Sequence, residues 1–63
     1  MANADSYRIP ETWLEKEVAR LALEKARQLV AEGQTPDEAA DAACSGAWAE
    51  WRGWVLAHLR EGQ

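Results

Sequence analysis

Three observations predict an all-α fold for this chain. Its composition is rich in Ala, Glu, Leu and Arg, has few β-branched residues and contains no Phe, which is a helical palette. Two apolar-periodic stretches are separated by one compact stop-and-start signal, "EGQTPDE". No stretch alternates apolar and polar residues with the period of a strand. The expected architecture is an antiparallel helical hairpin, residues 10–63, with helix 1 over about 10–32 and helix 2 over about 36–61. Residues 1–9 form an N-terminal arm in which Tyr7 and Ile9 are the parts worth burying.

Helix 1 starts near Pro10, a residue suited to a first helical turn, or slightly later if Thr12 and Glu15 form a capping box. Leu14, Val18, Leu21, Ala22 and Leu29 then share one face at helical spacing, and Ala19, Leu23, Ala26 and Val30 widen it. Lys25 projects from within this arc and must snorkel or find a partner. Gly33 can adopt the left-handed conformation that ends a helix. Thr35, Pro36 and Glu38 then supply a cap, a first-turn proline and the second half of a capping box. A stop and a start this close together imply a tight connection between antiparallel helices.

Helix 2 offers two faces. Cys44, Ala47, Trp48, Trp51, Val55, His58 and Leu59 form one stripe, with Trp54 at its edge, and read as core. On the other, Ala39, Ala42, Gly46, Ala49, Gly53 and Leu56 recur at intervals of three and four. Glycine inside a helix costs about 0.5–1 kcal/mol relative to alanine, so Gly46 and Gly53 suggest that a backbone approaches closely. The seam Ala42, Gly46, Ala49 and Gly53 is therefore expected to contact another helix; a break at Ser45-Gly46 is the competing account.

Size and charge limit the function. A chain of 63 residues is one domain, and such a chain buries only about 60% of its unfolded surface. Cys44 is alone, so no disulfide within the chain can help, and a single free thiol suits a reducing, cytoplasmic setting. Regular helix packing and self-association remain, so two hairpins are expected to assemble as a homodimer in a four-helix bundle. The segment "MANADSY" is polar, unlike a secretory signal, and no apolar run reaches membrane-spanning length.

A net charge of −4 disfavours non-specific contact with nucleic acid and anionic lipid. The stretch "TPDEAADAACSGAWAEWRGW" has a passing likeness to a helix-turn-helix, but its glycine comes late. The would-be recognition helix sets Arg52, Arg60 and His58 against Glu50 and Glu61. No phosphate-binding loop, zinc spacing or paired carboxylates appear, and Cys44 lies too far along a continuous helix from His58 for nucleophile–base chemistry. No enzymatic activity, cofactor or metal is therefore expected.

The expected function is protein–protein interaction, as a small adaptor, inhibitor or regulator of an unknown protein partner. A nucleic-acid-binding regulator is the alternative. A cofactor- or metal-binding bundle using His58, with Cys44, across a dimer axis is the second. The candidate partner site is the open end of the hairpin, where Trp13, Trp54, Leu56 and His58 would converge with Tyr7 and Ile9 nearby.

Overall fold

The computed structural model describes residues 7–61. They form three α-helices and a 3₁₀ segment: α1 (Trp13–Ala31), α2 (Pro36–Ala43), the 3₁₀ segment (Gly46–Trp51) and α3 (Arg52–Glu61). No strand occurs among the described residues, so the all-α class holds.

Both expected caps form. The Thr12 hydroxyl accepts from the Glu15 amide at 3.1 Å, and Glu15 accepts in turn from the amides of Thr12 and Glu11. The box therefore starts α1 at Trp13, three residues later than Pro10, and Pro10 is buried outside the helix. Thr35 and Glu38 repeat the device at the start of α2, with Pro36 in the first turn. Between the two helices the Gly33 amide donates to the Val30 carbonyl and the Gln34 amide to that of Leu29. With Gly33 at φ 114°, this is a Schellman closure of α1.

The expected single helix over 36–61 is corrected: it is broken. Cys44 leaves the helical region at φ −111°, ψ 71°, and Gly46 takes φ 61°. Serine and glycine are weak helix formers, so a break at this point is inexpensive. Its packing consequence is large. A continuous helix of that length would run about 39 Å at 1.5 Å per residue, whereas the molecule measures 30 Å in its longest dimension. The chain instead reverses, and α3 lies antiparallel to α2. Two ion pairs mark the register: Arg52 with Asp41 near the turn, and Arg60 with Asp37, 3.6 Å apart, at the far end.

The core is built from small residues. Ala19, Ala22 and Ala26 of α1 and Ala39, Ala40 and Ala43 of α2 are buried, which allows two helices to approach closely. Its bulk comes from Leu23, Cys44, Trp51, Val55 and Leu59. The buried face of α1 is therefore rotated from the expected one. Leu14 and Leu21, which periodicity places on the apolar face, are exposed, and Val18 and Leu29 lie at the margin of the core.

Candidate functional site

An apolar strip and a groove adjoin on the outside of α1. Leu14, Val18 and Leu21 stand at i, i+4 and i+7, so they share one helix face. Leu14 is 58% and Leu21 41% exposed. The side of helix 1 that the broad apolar arc leaves over is thus uncovered in the single chain, with Lys25 exposed one turn beyond Leu21. Beside the strip the 3₁₀ segment packs across the start of α1. The two enclose a groove of about 270 Å³ lined by Leu14, Glu15, Val18, Ala47, Trp48, Glu50 and Trp51.

The three-residue turn of the 3₁₀ segment brings residues i and i+3 onto one side. Trp48 and Trp51 lie at that interval and both line the groove, with Trp51 continuing inward until its ring is buried. The Ser-Gly that precedes this segment was its sequence signal, since the spacing of three in "WAEW" fits an α-helix as well.

The N-terminal arm seals one rim. Arg8 donates from Nη2 to Glu15 Oε2 at 2.7 Å and from Nη1 to Glu50. Its guanidinium carbon lies 5.1 Å from the centroid of the Trp51 ring. Glu15 also accepts backbone amides of Glu11 and Thr12. Those bonds, and then Arg8, hold its carboxyl below the usual range. Tyr7 continues onto α3: a Cβ built on Gly53 would stand 2.5 Å from Tyr7 Cβ.

The expected site residues do not gather at one end. Because α3 turns back along α2, His58 lies beside the start of α2, while the 3₁₀ segment meets the start of α1. Trp13 is 77% exposed at the first position of α1, while Arg8 lies over Trp51 and Tyr7 lies against Gly53. Ile9 is 58% exposed. Trp54 and His58 form a half-buried pair with ring centroids 4.1 Å apart, and His58 Nδ1 lies 2.9 Å from the Trp54 carbonyl oxygen, to which it can donate. Leu56 is half-buried and packs at the margin of the core.

The small-residue seam is also divided. Ala42 ends in α2, Gly46 and Ala49 fall in the 3₁₀ segment, and Gly53 in α3, so the four do not share a helix face. Ala42, Gly46 and Ala49 are exposed. The two glycines have separate causes: Gly46 supplies a left-handed turn, and Gly53 admits Tyr7. The close helix contact belongs to Ala39, Ala40 and Ala43 instead.

Cys44 is buried at the C-terminus of α2, and that burial pushes its thiol up. It sits at the opposite end of the α2–α3 pair from His58. The residues that sequence reasoning missed are Arg8, Glu15, Glu50 and Trp48. The chain reversal at Ser45-Gly46 creates their neighbourhood; the Ser-Gly pair signals a break, but not which residues the reversal brings together. Comparison of the chain with protein-family models, curated proteins and solved structures finds no match.

Proposed function

We propose that this chain is a protein–protein interaction module, a small adaptor, inhibitor or regulator, and that it binds its protein partner through the strip on α1 and the adjoining groove. The observation that carries the proposal is the exposure of Leu14 and Leu21 on one face beside an open apolar groove. Contiguous apolar surface of this kind marks binding sites more often than scattered surface leucines do. Covering a half-exposed leucine contributes about 1 kcal/mol, from its share of the full side-chain burial term.

Two further features support binding over catalysis or nucleic-acid recognition. Cys44 is buried, and that burial pushes its thiol up, which disfavours a nucleophilic role. Arg8, Arg20, Arg52 and Arg60 each face a carboxylate, and the net charge of −4 is a poor footprint for phosphates. No helix among the described residues is long and apolar enough to cross a membrane.

Self-association is the simplest form of the same interaction. Two copies meeting through their α1 strips, each backed by its own α2, would make a four-helix contact in a homodimer. Quantitative capture from the native host tests the module, with wild type and a Leu14→Ser/Leu21→Ser variant as parallel baits. A partner retained by wild type and lost by a variant of unchanged circular dichroism supports it. Identical capture profiles would remove the strip from consideration. Sedimentation of the same pair reads the homodimer: wild type associates at high micromolar concentration and the double variant does not.

A further inference from the structure

The rim of the groove already holds a guanidinium from its own chain. Glu15, Glu50 and Trp51 line the groove, and the same three residues hold Arg8. The other lining residues, Leu14, Val18, Ala47 and Trp48, present apolar surface. The site is thus an apolar trough with two carboxylates and an indole along one edge. A planar fork that pairs with carboxylates and stacks on an aromatic face is the chemistry of arginine, and an ammonium satisfies it less well.

Arg8 occupies the edge, and the described residues of the arm, 7–9, are not among those that line the trough. Tyr7 is committed to Gly53, and Ile9 is 58% exposed, so neither neighbour of Arg8 fills the space next to Leu14 and Val18. The pairs that hold Arg8 are themselves partly open to solvent, with side-chain exposures of 50% for Arg8, 27% for Glu15 and 45% for Glu50. Exposed ion pairs hold a chain segment weakly.

We propose that the groove recognises a partner segment in which an arginine is flanked by aliphatic side chains, and that Arg8 is a built-in competitor for that arginine's place. This inference rests on the interaction module proposed above and names the chemistry of its partner. An incoming segment replaces the Arg8 contacts one for one and adds aliphatic burial in the trough, which Tyr7, Arg8 and Ile9 do not supply. The carboxylate edge rejects acidic segments, and the apolar trough rejects purely basic ones.

The test uses a short labelled peptide with one arginine between leucine pairs, and its counterpart with citrulline, which keeps the shape of arginine and removes the charge. Dissociation constants are measured for wild type, Arg8→Ala and Arg8→Lys, with the fold of each verified by circular dichroism. Arg8→Ala is expected to bind the arginine peptide about three- to tenfold more tightly than wild type, since a weak internal competitor has gone. Arg8→Lys is expected to fall between the two. Citrulline should remove most of the affinity, and the indole N–H resonances of Trp48 and Trp51 should move only with the arginine peptide.

Equal affinities of wild type and Arg8→Ala would overturn the competition, and equal affinities for arginine and citrulline would overturn arginine recognition. Should both peptides bind alike and both be lost in Leu14→Ser, the apolar binding face stands and the arginine preference falls. Absence of binding by every variant overturns the inference, while the parallel-bait capture still decides the interaction module by itself.

Discussion

Gly53→Ala separates a helix preference from a tertiary contact. Gly53 lies inside α3 with ordinary helical geometry, so alanine there should stabilise the helix by about 0.5–1 kcal/mol. The added methyl, however, would stand 2.5 Å from Tyr7 Cβ, 3.4 Å from its Cγ and 3.7 Å from its Cα. Carbon atoms at rest sit about 3.5–4.0 Å apart, so the arm must move by roughly 1 Å or come away. Overpacking of this kind costs typically about 1–3 kcal/mol. The net expectation is a destabilisation of about 0.5–2 kcal/mol, after the helical gain is subtracted. For a domain of this size 1 kcal/mol moves Tm by about 4–8 °C.

The assay is a double-mutant cycle with Tyr7→Gly, which removes the opposing Cβ, read by thermal or urea unfolding. In the Tyr7→Gly background the sign should reverse, and Gly53→Ala should stabilise by about 0.5–1 kcal/mol. The coupling between the two positions is then about 1–3 kcal/mol. The same effect of Gly53→Ala in both backgrounds would refute the reasoning, because Tyr7 would not be what requires the glycine.

Three further outcomes are expected. Trp51→Ala removes the largest fully buried side chain and should cost about 3–5 kcal/mol, a loss that urea titration would show as a much lower midpoint or no folded baseline. Gly46→Ala should cost about 1–2 kcal/mol, since nothing lies within 4 Å of the new methyl and the cost arises from φ 61° alone; Gly46→Asn, which tolerates that region, should recover part of the loss in the same unfolding assay. Cys44 should alkylate slowly with iodoacetamide while folded. Burial raises its pKa, so the reactive thiolate appears only at a higher pH than for a free thiol; a rate equal to that of the urea-unfolded chain across the pH range would contradict the placement.

The ends of α1 and the start of α2 were legible in the sequence because they are local. A capping box closes within four residues, and a Schellman turn within six, so Thr12, Glu15, Gly33, Thr35 and Glu38 carry their instructions wherever the helices go. The helical class was legible for a similar reason, since propensity acts residue by residue. The apolar arc of helix 1 was legible as well, and part of it, Leu14 and Leu21, remains exposed. Which part of the arc would face inward was not legible: alanine and leucine look alike to periodicity, but only alanine lets α1 and α2 approach closely.

Tertiary structure decided the rest at Ser45-Gly46. A continuous helix and a broken one differ there by only the small cost of ending a helix at weak helix formers, and the balance is set by what the reversal buries. Turning back places Trp51, Val55 and Leu59 on the alanine face of α1 and α2, and it brings Glu50 and Trp51 to Arg8, 42 residues from Glu50 along the chain. Gly46 and Gly53, alike in the sequence, serve a left-handed turn and an aromatic contact because backbone angles and distant neighbours are properties of the folded chain. Local signals therefore determined the ends of α1 and the start of α2, and burial over long sequence separations determined where α2 stops and which surfaces the helices share.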